Sequence, residues 1–183
     1  MSADAPSAWV ARWTAHLAAG SSVLDVACGN GRHSRLFAKL GCKVIAVDRD
    51  SASAQALMNE PNVEFVQADL EAGEWPFGNK TFDVVVVTNY LHRSLFPALK
   101  RALAPGGLLV YETFAVGNAE FGRPSSPDYL LRPRELLDAF GTDMRVLGFE
   151  DGFAAQPKRA MVQRIALRNS EVRAVLPPNE CHL

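Results

Sequence analysis

The sequence predicts an α/β domain in which a mostly parallel, doubly wound sheet is covered by helices on both faces. Three observations predict it. The stretch Val23 to Ser34, VLDVACGNGRHS, passes from a short apolar run through a small-residue turn into a helical pattern, the first half of a βαβ unit. Strand-sized apolar runs then alternate with helix-sized amphipathic ones along most of the chain. The run Asp83 to Val87 is almost unbrokenly β-branched, as suits a strand covered on both faces.

At 183 residues the chain suits one compact domain and is too short for two full ones. A hydrophobic content of 48% and a net charge of -1 describe a soluble globular protein. No whole-molecule basic field exists to hold nucleic acid, so tight non-specific binding of it is not expected. The three cysteines, Cys28, Cys42 and Cys181, show no metal-ligand spacing and are odd in number, so neither a metal site nor a disulfide framework is expected. Met1 to Pro6 lacks a basic n-region, Arg12 and His16 interrupt the apolar residues after it, and the longest apolar runs are strand-sized. These features predict no signal peptide, no membrane span and a cytoplasmic location.

Taken in order, the first element is an amphipathic helix over Ser7 to Ala19, with Trp9, Val10, Trp13 and Leu17 on one side, Ser7 as N-cap and Gly20 as stop. The first strand, Val23 to Val26, leads through Ala27-Cys28-Gly29-Asn30-Gly31 into a helix over Arg32 to Leu40. Glycine in such a turn lets a ligand approach the backbone, and the helix behind it points free N–H groups at the same crevice. Gly41 ends that helix, and Lys43 to Asp48 forms the second strand. Asp48 stands at its carboxyl end, where it can accept hydrogen bonds from ribose hydroxyls or cap the helix that begins near Ser51. That helix runs to Asn59; the third strand, Val63 to Gln67, comes after Pro61 and ends in Ala68-Asp69-Leu70. The fourth strand, Asp83 to Val87, ends in Thr88-Asn89-Tyr90-Leu91-His92-Arg93, at the end of the sheet where ligands of open α/β folds lie.

A helix over Ser94 to Leu103 then meets Ala104-Pro105-Gly106-Gly107, a predicted turn before the fifth strand, Leu108 to Glu112. Phe114 to Leu131 is irregular, a binding loop or lid, or a surface loop held down by its aromatics. Arg123, between Gly122 and Pro124, is its candidate for gripping an anionic substrate. Pro133 opens a helix to Phe140, and Met144 to Glu150 and Ala160 to Leu167 read as a closing antiparallel hairpin. Lys158, Arg159, Arg164, Arg168 and Arg173 make this end locally basic, a solvated face or an RNA contact. Ser170 to Leu183 reads as a loosely packed tail.

The glycine-rich turn can be read in two ways. As G-x-G-x-x-G, Gly29 and Gly31 fit but Ser34 holds the third position; as acidic-x-G-x-G-x-G it runs Asp25, Ala27, Gly29, Gly31, with Ala27 replacing the first glycine. In the second form the chain resembles motif I of the class I S-adenosylmethionine-dependent methyltransferases. A carboxylate beside the loop suits a ligand carrying an ammonium and a sulfonium, and would repel a pyrophosphate. Asp69 in Q-A-D-L, Trp75-Pro76-Phe77 with Phe82-Asp83, and L-x-P-G-G before the fifth strand extend the resemblance from Val23 to about Leu167. Within the family, DVACGNGRHS and the small size resemble the tellurite-resistance-type branch.

The resemblance implies a Rossmann-like seven-stranded sheet, parallel except for its last strand. It implies an N-terminal helix over residues 1–20 covering the site, a cofactor-binding domain over 21–169 and a tail over 170–183. The implied cofactor is S-adenosylmethionine, with S-adenosylhomocysteine as product. Its site would comprise Asp25, Ala27, Cys28, Gly29, Asn30 and Gly31 at the amino-acid end and loop, Asp48 for the ribose and Asp69 for the adenine amino group. Arg49, Ala68, Leu70 and Asn89 complete that set. Helices placed like the first one often cover the crevice in this family, which makes Trp13 and His16 candidate substrate residues, with plain packing as the alternative.

The reaction implied is transfer of a methyl group to a small-molecule acceptor by in-line displacement, where proximity and alignment supply most of the rate. A soft nucleophile needs no base; an alcohol or protonated amine does, and His92, Tyr90, Tyr111 and Glu112 are the candidates. His92 reads equally as a capping or packing residue. Tyr90-Leu91 stands where N-P-P-Y has two prolines, which argues against adenine or glutamine amino groups as acceptors. Two other classes share part of the pattern. An NAD-dependent oxidoreductase would leave Asp69 unexplained, and an S-adenosylmethionine-binding protein or partner subunit without transfer activity would carry every binding motif.

Overall fold

Alternation along the strands decides which side of the sheet each residue covers. In the computed structural model, which describes residues 5–170, the strands are β1 (Ser22–Val26), β2 (Lys43–Asp48), β3 (Val63–Gln67), β4 (Phe82–Thr88), β5 (Leu103–Phe114), β6 (Arg145–Ala154) and β7 (Ala160–Arg168). They form one seven-stranded sheet in the order β3-β2-β1-β4-β5-β7-β6. β7 pairs antiparallel with both of its neighbours, and the remaining pairs are parallel. The strand order reverses direction between β1 and β4, which opens a crevice at their carboxyl ends.

The helices are α1 (Ala8–Thr14), α2 (Arg32–Lys39), α3 (Ser51–Leu57), α4 (Phe96–Arg101) and α5 (Glu135–Phe140). Val23, Val84, Val86, Leu108 and Val110 pack on one face with Trp9 and Val10 of α1 and Phe37 of α2. Their sequence neighbours Leu24, Val85, Val87, Leu109 and Tyr111 pack on the other, with Leu99 of α4 and Leu136 and Phe140 of α5. Both parities are therefore apolar, which is why β4 reads VVVV and not as an alternating strand. Each fully buried aliphatic side chain of this kind contributes about 1.5–3 kcal/mol.

Some element boundaries differ from the expectation, each for a local reason. α1 stops at Thr14 and not at Ala19: the Thr14 hydroxyl turns back onto the Val10 carbonyl (2.7 Å), and of the residues that follow only Leu17 packs on the core, while His16, Ala18 and Ala19 are exposed. The helix expected from Ser94 divides into a 3-10 turn over Arg93–Leu95 and α4, because Pro97 has no N–H and fits only a first helical turn. α5 begins after Arg134, whose left-handed backbone (φ 61°) bars a helix from Pro133. The Pro105-Gly106-Gly107 turn lies inside β5 as an irregular step in its pairing with β4. Beyond Ser170 the expected tail lies outside the described residues, as do residues 1–4.

The irregular segment after β5 is closed at its base. Val116 N–H donates to the Leu131 carbonyl and Leu131 N–H to that of Phe114, both at 2.9 Å. Arg93 clamps its return limb, donating to the Asp128 and Leu130 carbonyls (2.9 and 3.0 Å) while paired with Glu135 (2.6 Å). Asn118 ties its outer part to β7 by accepting from Met161 N–H and donating to the Pro124 carbonyl. The insert is therefore a fixed wall beside the strand ends.

Candidate functional site

A cleft of about 540 Å³ lies at the carboxyl ends of β1 to β4. The turn after β1 contributes Ala27, Cys28, Gly29 and Asn30; the end of β2 contributes Asp48 and Arg49. The end of β3 contributes Ala68, Asp69 and Leu70, and the end of β4 contributes Thr88, Asn89 and Tyr90. Ten of the twelve residues expected around the cofactor are thus in one place.

The turn is built from left-handed backbone at Ala27 (φ 53°), Gly29 (φ 54°) and Gly31 (φ 74°). A Cβ on Gly29 would meet nothing within 4 Å, whereas one on Gly31 would lie 2.3 Å from Leu57 of α3. Gly31 is therefore a packing requirement against α3, and it is not among the residues that line the cleft. Asp48 braces the turn: one carboxylate oxygen accepts from Gly29 N–H (2.8 Å) and the other from Asp50 N–H (2.9 Å). The cap of α3 is Asp50, through Ala52 N–H (2.9 Å), so Asp48 is not spent on capping. Each Asp48 oxygen keeps a lone pair for a further donor. Asp69 accepts from Glu71 and Ala72 N–H, and these bonds hold its carboxyl below the usual carboxylate range.

Asp25 lies outside the cleft lining as well. The parity of β1 turns it to the α2 face with Val23, where it is buried and accepts from Ser34 Oγ at 2.6 Å. Burial pushes its carboxyl up to about 6. It supports the turn from behind and does not face the cleft. Ser34, the residue that breaks the dinucleotide fingerprint, is its partner.

The expected catalytic residues separate. Tyr90 lines the cleft, and burial beside Glu71 and Asp69 pushes its phenol up. Tyr111 is fully buried on the α4 and α5 face, donates to the Tyr90 carbonyl (3.0 Å), and has its phenol pushed far up by burial; a catalytic role is corrected to a structural one. His92 opens the 3-10 turn before α4 near Asp69 and lines neither this cleft nor the cavity beside it. Cys28 and Cys42 are free, buried thiols pushed up by burial, which makes them poor nucleophiles.

That second, more enclosed cavity of about 270 Å³ shares Arg32 and Asn89 with the cleft. Its walls come from residues 5–8 before and at the start of α1, from Phe114, Asn118, Phe121 and Arg123 of the insert, and from the β6–β7 hairpin. Arg123 is therefore at a cavity, whereas the other two expected substrate residues are not. Trp13 packs edge-on to Trp9 and against Gly148, where any Cβ would lie 2.4 Å from its ring; His16 is exposed beyond the end of α1. The start of α1, not its end, reaches the site.

His33, not singled out in the sequence, holds that start in place. It is buried, its Nε2 accepts from Ser7 N–H (3.1 Å), and its Nδ1 lies 3.3 Å from Thr88 Oγ1. Nε2 being an acceptor, the proton sits on Nδ1 and points at Thr88. Burial, with Arg32 nearby, pushes the imidazole down to about 3. Glu112, on the wall of the second cavity, lies across β5–β7 from Arg164, with Oε2 2.6 Å from Nε but not aligned as a hydrogen bond. Arg164 also reaches Glu150 (3.2 Å).

The chemistry of the cleft fits S-adenosylmethionine. Carboxylate acceptors stand at Asp48 and Asp69 for hydroxyl and amino donors, and the space before Gly29 is open to a ligand. Among the described residues no group of three or more His, Cys, Asp or Glu is placed to hold a metal ion, and no helix is long and apolar enough to cross a membrane.

Residues 23–107 match the family model described as a methyltransferase domain. The chain is 35% identical over 127 residues to the ribosomal protein L11 methyltransferase of Thermus thermophilus, covering 66% of this chain and 49% of that protein. It is 30% identical over 171 residues to the trans-aconitate 2-methyltransferase of an Acidovorax species, covering 88% of this chain and 57% of that one. The structure of TehB from Haemophilus influenzae superposes with a TM-score of 0.68 at 19% identity, over 88% of this chain and 60% of the other, a likeness of fold. The chain spans about half the length of the curated relatives it matches.

Proposed function

We propose, from the premise that residues 23–107 form a domain of the class I S-adenosylmethionine-dependent methyltransferase family, that this chain binds S-adenosylmethionine in the strand-end cleft and methylates a small molecule held in the second cavity. The observation that carries the reading is the junction: the two cavities meet at Arg32 and Asn89, beyond the reversal of strand order between β1 and β4. When bound, S-adenosylmethionine supplies an electrophilic methyl group on a sulfonium centre. Asp48 would hold the ribose hydroxyls and Asp69 the adenine amino group, while the turn over Ala27 to Asn30 takes the amino-acid end. Residues 5–8 and the insert exclude water from the acceptor.

Alignment carries most of the proposed catalysis. Glu112 is the carboxylate on the acceptor wall, and it is paired with Arg164. A small acceptor agrees with the size of the second cavity and with a relative that acts on trans-aconitate. Relatives named for ribosomal protein L11 and for tRNA U34 make macromolecular acceptors the contrasting outcome.

The test is thermal shift with S-adenosylhomocysteine, S-adenosylmethionine and NAD, followed by transfer of labelled methyl into fractionated extract. S-Adenosylhomocysteine at 100 times its Kd stabilises a binder by about 2.7 kcal/mol, and label is expected in the small-molecule fraction. A shift with NAD alone sinks the cofactor assignment. Label confined to RNA or protein overturns the acceptor class, and binding without any transfer makes the chain a sensor or partner subunit.

A further inference from the structure

We infer that the acceptor is a small organic anion, with an apolar body and an oxyanion group held by Arg123 and Lys158. The inference rests on the proposed acceptor role of the second cavity and names its substrate class. Five basic side chains, Arg32, Arg123, Lys158, Arg159 and Arg164, line that cavity against the one carboxylate of Glu112. Arg164 lies between Glu112 and Glu150, and Arg159 stacks over the rings of Phe121 (5.3 Å) and Phe153 (5.6 Å). Arg123 and Lys158, by contrast, have no carboxylate within ion-pair distance among the described residues.

These two cations come from the insert and from the β6–β7 connection, and the fold brings the two segments together. Lys158 Nζ stands 3.6 Å from the point where a Cβ on Gly122 would be, one residue from Arg123. Like charges gathered at one end of a partly enclosed cavity repel one another unless an anion lies between them. The one carboxylate is already engaged: Glu112 is paired with Arg164 (2.6 Å), while its main-chain carbonyl accepts from Asn89 N–H (2.9 Å) at the junction with the cofactor cleft. Phe114, Ala154, Ala160 and Val162 supply apolar wall. Among the described residues, Arg123 and Lys158 are thus left without a carboxylate partner beside an apolar wall. An amphiphilic anion fits the cavity with its oxyanion on these two side chains and its nucleophilic atom at the junction.

The experiment titrates the S-adenosylhomocysteine-loaded protein with phenylacetate, phenyl phosphate and the neutral phenylacetamide, by calorimetry at low and high salt. At least one anion is expected to bind about 10-fold or more tightly than the amide, with the advantage shrinking in salt; whichever anion leads identifies the head group as carboxylate or phosphate. Arg123→Gln combined with Lys158→Gln is expected to bring the anion down to the level of the amide, with S-adenosylhomocysteine affinity unchanged. Amide binding as tight as either anion, no binding of any probe, or an indifferent double variant overturns the inference. Failure of S-adenosylhomocysteine to bind, with anion preference intact, would sink the cofactor assignment and leave the anion site standing.

Discussion

The proposed cofactor cleft and the proposed acceptor cavity share two residues but are built by opposite means. The cleft takes all its lining from residues 27–90, at the ends of four neighbouring strands, and its chemistry is backbone turn plus carboxylate. The cavity gathers residues 5–8, the strand end at Glu112, the insert and the last hairpin, and its charged side chains are mostly cations. The matching family model covers residues 23–107, which holds the whole cleft and leaves most of the cavity outside. A local motif can encode how a common cofactor is held, because the sheet repeats the same strand-end geometry. The second cavity is assembled from segments far apart in the sequence, most of them outside the matched residues.

The largest effect that tests this separation is expected at Asp48. Asp48→Ala removes the proposed ribose acceptors and also the partners of Gly29 and Asp50 N–H. Hydrogen bonds to a charged group contribute about 1.5–3 kcal/mol each, so S-adenosylhomocysteine affinity should fall about 100-fold or more by calorimetry. Anion binding in the second cavity should change less than about 2-fold, since Asp48 lines the cleft and not that cavity. Equal losses at both sites would erase the distinction between the two regions.

The next effect lies behind the two regions, at the buried pair of titrating groups that support them. Asp25, under the cofactor turn, has its pKa raised from 3.8 to about 6, so the native state keeps a proton that the unfolded chain has lost; its contribution to stability falls as pH rises from 4 to 6. His33, under the start of α1, has its pKa lowered from 6.5 to about 3, so the unfolded chain takes a proton first; its contribution falls as pH drops over the same range. The two slopes oppose each other between about pH 4 and 6. Asp25→Asn should leave the His33 slope alone, with stability falling by about 2 kcal/mol on acidification from about pH 6 to 4. His33→Gln should reverse the sign. Urea midpoints across that pH range measure both, and an unaltered profile in Asp25→Asn would mean that Asp25 is ionised in the native protein.

The same contrast explains which parts were readable in advance. The parallel strands announce themselves because Val84 to Val87 must satisfy two apolar faces at once. Ala68, Asp69 and Leu70 line the cleft because they directly follow β3, and the family resemblance that singles them out needs no knowledge of any distant residue. Asp25 lies outside the cleft lining: the motif names a residue and not the side of the strand it faces. His33 carried no local signal: its role depends on Ser7 and Thr88, which reach it only through the fold. Trp13 was drawn to the site by its helix, whereas its seat depends on Gly148 in β6. Lys158 and Arg159 read as a basic run until the hairpin set them opposite the insert.

The smallest expected effect asks whether the cleft owes anything to side chains in its turn. Ala27 holds the position where the family pattern has glycine, and its φ of 53° is left-handed. An L side chain there costs about 1–2 kcal/mol, and glycine returns part of that through its freer unfolded chain. Ala27→Gly should therefore stabilise by about 1 kcal/mol, raising Tm by about 2–4 °C. Scanning calorimetry reads the gain, and S-adenosylhomocysteine titration reads its meaning. A gain at unchanged affinity makes the alanine tolerated strain in a cleft defined by backbone. A gain with weaker binding gives the Ala27 methyl a contact with the cofactor, which would make this turn, like the acceptor cavity, a place where side chains tune the ligand. No gain would mean that this backbone stores no strain, and the turn would have to be read as a relaxed one.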